Sequence, residues 1–289
     1  MFNQTNSPRP KETLPAYNLM QEISDATYFK EIGNGLHRKI YRIGDSNICM
    51  KVPHPEHFTP TILYLMQCEF MMYQISHIWN FDVVPFTKVI LHNSKEIEQI
   101  TEAFTKVNKG DHLYYPLLIQ KYIEPENLDR ELDLVHAQKV LIFNWITGRQ
   151  DRARTNSVVN SEGKIFEVDN ELTFNTICVR TEPHWLLDSV EFPNIPLKEN
   201  LIEGILNLPQ MIPLKLETLP GNHVVHSHPR ARQIKASRNV TVMKVQNQVI
   251  DNLITLKSII RNLQKSKTQI TPQIIEDQVK NLGKQNYAS

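Results

Sequence analysis

The change in hydrophobic spacing along the chain constrains its fold more than any other feature of the sequence. Near the amino terminus, Ile40–Ile43 and Ile48–Val52 flank a Gly44–Asn47 turn, a pattern typical of a β-hairpin. Later segments repeat apolar residues every three or four positions, as a helix with a packed face does. We therefore predict an α+β fold in which a strand-rich part precedes a mostly helical part.

Cap and turn residues define the remaining elements. Thr59-Pro60 is a typical helix start, and this helix is expected to run to about Ile78. Val83–Leu91 and Tyr114–Ile123 are predicted strands, the second mostly apolar and therefore buried. Three later elements are predicted as a buried helix over Asp133–Ile146, a strand–turn–strand unit over Ser157–Val168, and an amphipathic helix near Val249–Leu263.

Composition excludes several classes of protein. The chain has 289 residues, 40% of them hydrophobic, which is enough for a buried core in one large domain or two lobes. No apolar run approaches the roughly 20 residues that a membrane helix needs. The cysteines Cys49, Cys68 and Cys178 are widely spaced and form no Cys-x-x-Cys pair. We therefore expect a reducing compartment, with neither a disulfide scaffold nor a Cys-rich zinc site.

The first residues of the sequence bear on location. Met1–Tyr17 is polar and contains proline, and it lacks the apolar stretch of an ordinary secretory signal. We therefore expect a cytoplasmic protein. A secreted effector that acts in a host cytosol, or a peripheral position at a membrane, is also compatible with this segment.

Charge is distributed unevenly along a chain whose formal net charge is +1. Gly221–Ser289 holds 11 Lys and Arg against three acidic residues, a net charge of +8, which leaves −7 for the rest. The basic stretch 223–238 could bind a polyanion such as an inositol phosphate, a phosphoinositide headgroup or an anionic membrane, or pack on the acidic remainder. Nucleic acid is disfavoured, because Tyr287 is the only aromatic residue after Phe192 and no stacking platform is present.

The stretch from Gly148 to Phe174 carries the residues best suited to chemistry. Asp151 and Asn156 follow the predicted buried helix, and Asp169 ends the hairpin 13 positions later. Phosphoryl transfer needs such groups, because one carboxylate orients or deprotonates the attacking hydroxyl and an oxygen-ligand pair holds Mg²⁺. Protein kinases share this Asp-x-x-x-x-Asn followed by an Asp after a hairpin. The alternative is that all three are ordinary loop and turn residues.

These motifs resemble a known group of kinases. Asp151-Arg152-x-x-x-Asn156 followed by Val168-Asp169-Asn170 resembles the catalytic and metal-binding loops of the phosphatidylinositol 3-/4-kinases, the type II 4-kinases most closely. It is also similar to related atypical kinases such as the actin–fragmin kinase group. Upstream, Glu69–Tyr73 through Val83–Thr87 resembles a helix and the following strand of the 4-kinase amino lobe. The resemblance covers about residues 28–175.

The resemblance implies a two-lobed protein-kinase-like fold, with a strand-rich N-lobe and a mostly helical C-lobe, that uses ATP and Mg²⁺ (or Mn²⁺). It implies that Asp151 is the catalytic base and that Asn156 and Asp169 hold the metal. Glu171 departs from the glycine that often follows Asp-Asn in these families. The resemblance also places the adenine-binding hinge near 120–124, with Gln120, Tyr122 and Ile123 as the contacting residues.

The amino-terminal part supplies compatible phosphate-binding groups. Lys51 closes a predicted strand and could reach the nucleotide phosphates, while Glu69 on the next helix could pair with it. The alternative is an exposed strand-end lysine and a glutamate on a solvated helix face. Gly33 and Gly35 could form a phosphate-covering turn, since glycine lets backbone N–H groups approach closely. The full G-x-G-x-x-G is absent, because position 38 is Arg.

These expectations divide the chain into a flexible arm (1–25), an N-lobe (26–124) and a helical C-lobe with the basic segment (125–289). The favoured activity is transfer of the ATP γ-phosphate to a hydroxyl, with a protein acceptor slightly preferred over a phosphoinositide. The alternatives are a phosphatidylinositol 4-kinase-like lipid kinase and a pseudokinase that acts as a nucleotide-binding interaction module. Neither a Walker A sequence nor a G-x-S-x-G elbow is present.

Overall fold

The structure is a computed structural model, which describes residues 29–34, 38–53, 60–93, 114–126, 131–150, 152–170, 173–174, 184–189, 191–215 and 229–287. The predicted α+β organisation is confirmed, because a five-stranded antiparallel sheet is followed by a mostly helical region with a small hairpin. The predicted flexible arm, residues 1–25, lies outside the described residues.

The sheet has the strand order β1-β2-β3-β5-β4, with every neighbouring pair antiparallel. Its strands are β1 (Phe29–Asn34), β2 (Arg38–Ile43), β3 (Ile48–Pro53), β4 (Thr87–Asn93) and β5 (Tyr114–Lys121). The β2–β3 hairpin is the one that the sequence predicts, and the Gly44 backbone at its turn has a φ of +51°. Glycine adopts this left-handed conformation without a steric penalty, which explains its position in the turn.

Helix α1 (Pro60–Ile78) lies between the sheet and the helical region. On one side Met66 packs with Val89 and Leu118 of the sheet. On the other side Met71 and Ile75 belong to the large core cluster that includes the helical region. This two-sided packing explains why α1 has no continuous polar face, and it fixes the helix against both parts of the molecule.

The helical region is built around α2 (Leu134–Thr147), which is buried along most of its length. Asp133 caps its amino end by accepting a 3.0 Å hydrogen bond from the His136 N–H. Gly148 ends it with a φ of +60°. The remaining elements are β6 (Ser157–Val159), β7 (Ile165–Glu167), α3 (Glu199–Asn207), α4 (Pro229–Lys265), α5 (Pro272–Tyr287) and 3₁₀ turns at Arg154–Asn156, Trp185–Asp188 and Phe192–Asn194.

Two predicted boundaries differ from the structure. The strand predicted from Val83 begins at Thr87, because the N–H groups of Val83 and Val84 donate to the Ser76 hydroxyl and Pro85 has no N–H to donate. The amphipathic helix predicted near Val249–Leu263 is the second half of the longer α4. The periodic apolar pattern covers only that half, whereas the polar residues before it can continue a helix without such a pattern.

Candidate functional site

Strand β3 and helix α1 bring a lysine and a glutamate together in the interior. Side chains alternate along β3, so Lys51 shares a face with Cys49, while Met50 and Val52 pack in the cluster on the opposite face. Lys51 Nζ donates to Glu69 Oε2 over 2.7 Å, and both side chains are almost completely buried. The pair suggested by the sequence is therefore present, and the alternative of an exposed lysine and a solvated glutamate is wrong.

A second buried cation shares the Glu69 carboxylate. Arg38 opens β2 with its side chain 5% exposed, and its Nη2 lies 2.5 Å from Glu69 Oε1. The same Nη2 lies 3.6 Å from Oδ1 of Asp169, whose side chain is 45% exposed. Buried charges are costly unless opposite charges compensate them. One buried carboxylate therefore faces two buried cations, and Asp169 adds a second negative charge at the solvent side.

Lys51 also joins the sheet to the end of the β6–β7 hairpin. Its ammonium donates a hydrogen bond to the carbonyl of Val168, the residue before Asp169, although 117 positions separate the two partners. The Val168 N–H donates to the Asn156 carbonyl over 3.0 Å. These bonds bring Lys51, Glu69, Asn156 and Asp169 into one site at the junction of the sheet and the helical region.

Arg149, which sequence reasoning did not single out, holds the backbone of this site. Its Nη2 donates to the carbonyl of Asp169 and, over 3.4 Å, to that of Asn156. Its Nη1 is paired with the carboxylate of Glu167 in the interior. Hydrogen bonds to a charged donor are stronger than neutral ones. One guanidinium therefore fixes the positions of both predicted metal-binding residues relative to each other.

Glu167 is the centre of a buried polar cluster behind these loops. Its carboxylate oxygens lie 3.3 Å from His184 Nε2 and 3.4 Å from Asn144 Nδ2 and Ser157 Oγ. His184 Nδ1 accepts a hydrogen bond from the Leu186 N–H over 3.1 Å. The His184 proton therefore lies on Nε2, which donates to Glu167. The cluster supports Arg149 by keeping its carboxylate partner in place.

The sequence contained a signal for Glu167 but none for Arg149. Glu167 is a charged residue in the otherwise apolar segment Ile165–Val168, and side-chain alternation places it on the same face as buried Ile165. A buried charge needs a partner, so a buried cation could have been expected. Which arginine supplies it depends on how the loop after α2 folds, and spacing alone does not indicate that.

Of the predicted hinge residues, Gln120 lies near the end of β5, and Tyr122 and Ile123 follow the strand. Gln120 is buried, donates to the Thr87 hydroxyl over 3.1 Å and pairs with Cys49 across the sheet. The Tyr122 N–H donates to the Asn47 carbonyl over 2.8 Å, and the Arg42 guanidinium lies over the Tyr122 ring at 4.3 Å. Burial raises the pKa of the Cys49 thiol to about 11, although nearby Lys51 lowers it. The Cys49 side chain is therefore a neutral, buried thiol rather than a nucleophile.

The predicted glycine turn is described only in part. Gly33 lies in β1 opposite Ile40, next to a bulge, and a Cβ at Gly33 would lie 3.3 Å from the Ile40 Cδ1. Its lack of a side chain therefore permits close packing of the two strands. Gly35, Asp151 and Glu171 lie outside the described residues. Neighbouring Arg152 is buried, and its Nε donates to the Arg149 carbonyl over 2.7 Å.

The donor atoms near the hairpin end suit a hard divalent cation. Asp169 offers a half-exposed carboxylate and Asn156 an amide oxygen, both of the type that Mg²⁺ prefers. Arg149 donates to the backbone carbonyls of both residues, so the backbone positions from which the two side chains extend are fixed. Among the residues that the structure describes, no three His, Cys, Asp or Glu side chains gather as metal ligands. A metal here would therefore depend on these two residues together with ligand oxygens and water.

A separate cavity of about 700 Å³ adjoins the hinge segment. Tyr122 and Ile123 contribute to its wall, together with residues from α1, from the segment before β4 and from the β6–β7 hairpin. Its lining includes none of Arg38, Lys51 or Asp169. This cavity is therefore distinct from the ion-pair site.

The basic segment 223–238 is described only from Pro229 onward, as the backbone of the first turns of α4. Within the described ranges, no helix combines the length and apolar character that crossing a bilayer requires. The sequence matches no protein-family model, and it matches no curated protein.

Proposed function

We propose that this chain is an ATP- and Mg²⁺-dependent phosphotransferase with a two-lobed protein-kinase-like fold, similar to the phosphatidylinositol 3-/4-kinase group. The observation that carries the proposal is the Lys51 ammonium, which bonds both Glu69 and the carbonyl immediately before Asp169. Kinases hold the nucleotide phosphates with a strand lysine that is fixed by a helix glutamate. The five-stranded sheet followed by helices and a hairpin supports the same fold.

Lys51 has the charge and an available N–H donor to bind a phosphate oxygen. An ammonium group has three N–H donors, of which one bonds Glu69 and a second bonds the Val168 carbonyl. The third can be donated to a phosphate without breaking either bond. Arg38 adds a second positive charge within reach of the same Glu69 carboxylate. Lys51 and Arg38 therefore place two positive charges at the proposed phosphate position, which favours an anionic ligand.

Asn156 and Asp169 are the residues that would hold the metal. When bound there, Mg²⁺ (or Mn²⁺) would offset the negative charge of the nucleotide phosphates during transfer. Arg149 contributes by donating to the carbonyls of both residues, which fixes the two backbones relative to each other. The ion pair between Arg38 and Asp169, which is 3.6 Å long, competes with metal binding by Asp169.

The sequence assigns the proton-transfer role to Asp151, two residues after Arg149. In the proposed reaction the acceptor hydroxyl oxygen forms a bond to the γ-phosphorus while the bond from that phosphorus to the bridging oxygen of ADP breaks. Asp151 accepts the hydroxyl proton, and Lys51 stabilises the charge on the remaining phosphates. The buried Arg149 carbonyl accepts a bond from Arg152, which restrains the chain on both sides of Asp151.

The hinge segment is the proposed adenine site. Gln120 and Cys49 are paired on neighbouring strands, on the face of the sheet that carries Lys51. The Tyr122 N–H is bonded to Asn47, whereas no hydrogen bond within the described residues uses the Ile123 N–H. We therefore assign the adenine hydrogen bond to the Ile123 backbone, with the buried Gln120 at the back of the site.

A protein acceptor is slightly favoured over a phosphoinositide. Type II lipid kinases are associated with palmitoylated cysteine clusters, whereas two of the three cysteines here, Cys49 and Cys68, are buried in the fold and far apart in sequence. A lipid-kinase activity remains the first alternative. Free thiols and a requirement for ATP support a cytoplasmic location, either in the producing cell or in a host.

One observation favours a second candidate, a nucleotide-binding pseudokinase that acts through its partners. Arg38 lies where the third glycine of a phosphate-binding loop would be, and its guanidinium reaches both Glu69 and Asp169. A bulky cation in this position could stabilise a bound phosphate chain without supporting transfer. The intact set of Asp151, Asn156 and Asp169 favours the active enzyme.

The proposal is tested by incubating the purified chain with γ-³²P-ATP and Mg²⁺, with generic proteins and phosphoinositide vesicles offered in parallel. Asp151→Ala removes the proposed base, and Asp45→Ala is the matched control, because Asp45 is an exposed residue in the β2–β3 turn. We expect transfer by the wild type and the control, and loss of transfer in Asp151→Ala.

The pattern of label separates the candidate functions. Label in protein or in lipid identifies the acceptor class. ATP binding without transfer to any acceptor would support the pseudokinase. Absence of ATP binding in the wild type would contradict the proposed function.

A further inference from the structure

We propose that Arg38 stays ion-paired with Asp169 until a nucleotide binds. The phosphate chain must therefore bind before the divalent cation or together with it. On binding, the phosphates replace Asp169 as the counter-ion of Arg38, and Asp169 becomes available to the metal. This inference rests on the proposed function and concerns the order in which the same site is filled.

The charges of the site favour the contact between Arg38 and Asp169. Lys51 and Arg38 are both buried, and the buried Glu69 carboxylate lies between them. Asp169 contributes a further negative charge 3.6 Å from Arg38. Such a charge is favourable here, because buried cations are costly unless opposite charges compensate them. An incoming phosphate can provide the same negative charge.

The ion pairs of Arg38 with Glu69 and with Asp169 differ in a way that makes the first permanent and the second exchangeable. The pair with Glu69 is short, 2.5 Å, and the Glu69 side chain is 0% exposed. The pair with Asp169 is 3.6 Å long, and the Asp169 side chain is 45% exposed. Water and ions can therefore compete at Asp169 but not at Glu69. Arg38 stays anchored to α1 while its contact with the metal-binding loop can be exchanged.

A divalent cation at Asp169 would face Arg38 at close range unless a phosphate lay between them. Two positive charges at such a distance repel each other, so metal binding alone is opposed. A phosphate bound by Arg38 and Lys51 removes that repulsion and adds oxygen ligands for the metal. Metal and nucleotide should therefore bind with positive coupling, and Arg38 should supply part of that coupling.

The first test measures Mn²⁺ binding to the full chain without nucleotide, by the loss of the free Mn²⁺ resonance in electron paramagnetic spectra. Arg38→Gln removes the cation, and Lys39→Gln is the matched control, because Lys39 is the adjacent residue and its Nζ lies 3.5 Å from the exposed Glu31. We expect Arg38→Gln to bind Mn²⁺ roughly tenfold more tightly than wild type. The control should match wild type, and adding Asp169→Asn to Arg38→Gln should abolish the gain.

The second test measures ADP binding in the presence of EDTA, by calorimetry. We expect Arg38→Gln to lose affinity roughly tenfold, because the phosphates lose a cation, while Lys39→Gln remains unchanged. Arg38→Gln should fold, because it leaves the balanced Lys51–Glu69 pair in place. If thermal unfolding shows that it does not, Arg38→Met removes the same charge with an apolar side chain and is measured instead, with the same directions expected.

The outcomes distinguish this inference from the proposed function. Equal Mn²⁺ affinity in wild type and in folded Arg38 variants, with normal ADP binding, would overturn the role of Arg38 alone. Failure of the wild type to bind ADP would reject both the proposed function and the release of Asp169 by phosphate. A gain in Mn²⁺ affinity that requires Asp169, combined with a loss of ADP affinity, supports the inference.

Discussion

At the scale of single residues, the account depends on Glu69 and the two cations that share it. Lys51 bonds one carboxylate oxygen and Arg38 approaches the other, and all three side chains are buried. Such a trio contributes little net stability when complete, because desolvation offsets much of the attraction. It is nevertheless costly to break, and the cost depends on which member is removed.

Glu69→Leu should therefore destabilise the fold more than Lys51→Met. The first change leaves two cations buried without the carboxylate between them, which costs about 3–5 kcal/mol. The second leaves Arg38 and Glu69 as a balanced pair, so we expect a loss of about 1–2 kcal/mol. Urea unfolding of both variants measures this difference. Equal losses, or a larger loss in Lys51→Met, would contradict the shared-carboxylate arrangement.

His136 makes folding depend on pH. Burial lowers the pKa of this side chain to about 4, and the hydrogen bond from Nε2 to the Asp82 carbonyl opposes that shift. Nδ1 accepts from the Ile165 N–H over 3.2 Å, so the neutral form with its proton on Nε2 is the one that fits. In the unfolded chain the group has an ordinary pKa near 6.5.

Because the unfolded chain binds a proton more readily, stability is present above about pH 6.5 and is lost as pH falls towards 4. The contribution of His136 to this loss is about 3 kcal/mol. His136→Gln should remove it, so the difference in unfolding free energy between wild type and variant should change across that window. A difference that stays constant from pH 7 to pH 4 would show that His136 is not held neutral.

The residues of the site were predictable where their position within an element carried the information. Lys51 at the end of a strand and Glu69 on the next helix could be paired before the fold was known. Arg149 and Glu167 could not, because their partners come from different loops and from a histidine that follows in the chain. Long-range partners of a buried charge depend on tertiary packing, which a local pattern does not contain.

At the scale of elements, the β6–β7 hairpin is locked against α2 by its turn. Gly163 has a φ of +75°, and a Cβ there would overlap the carbonyl oxygen of Glu131 and lie 3.1 Å from the Asp133 nitrogen. The Asp133 N–H also donates to the Gly163 carbonyl over 2.9 Å. The turn that the sequence predicts from Asn160–Gly163 therefore has a packing role that the sequence does not reveal.

Gly163→Ala should be much more damaging than Gly44→Ala. Gly44 has a φ of +51° with no neighbouring atom within 4 Å of an added Cβ, so alanine costs only about 1–2 kcal/mol of backbone strain. At Gly163 the same strain is joined by a clash with backbone, and we expect a loss above about 3 kcal/mol. Thermal unfolding of the two variants measures the contrast, and similar shifts in Tm would contradict it.

The first turns of helix α4 contain part of the basic segment 223–238. We expect the combined charge reversal of Arg230, Arg232 and Arg238 to Glu to weaken binding of an inositol hexakisphosphate probe and to flatten its dependence on salt. Fluorescence titration at two salt concentrations measures both effects. Reversal of Lys265 and Lys267, at and just beyond the other end of the helix, is the control. Unchanged titrations in the first variant would indicate that this segment does not bind polyanions.

Element boundaries were predicted best where caps and turns mark them. Asp133 and Gly148 define α2 within one residue of its predicted limits, because capping chemistry is local. The start of α4 was missed, since its first half lacks the apolar periodicity that indicates a helix. The start of β4 was placed too early, because Val83 and Val84 are buried but donate to a side chain rather than to a strand.

At the scale of the whole molecule, the candidate site lies where the sheet, α1 and the helical region meet. Helix α1 is packed on both sides, and the Lys51 bond to Val168 crosses from the sheet to the hairpin. The α+β order of elements follows from the sequence pattern, whereas the junction depends on how α1 is buried between its two neighbours. A ligand that binds Lys51 and Asp169 together would contact both parts of the molecule.

The central claim, that the Lys51 cluster binds nucleotide phosphates, is tested most directly by calorimetric titration with a non-hydrolysable ATP analogue and Mg²⁺. Three proteins are compared, namely wild type, Lys51→Met and the charge-matched control Lys39→Met. The account predicts that wild type and control bind alike and that Lys51→Met binds at least about tenfold more weakly. Equal affinity in all three folded proteins would contradict it.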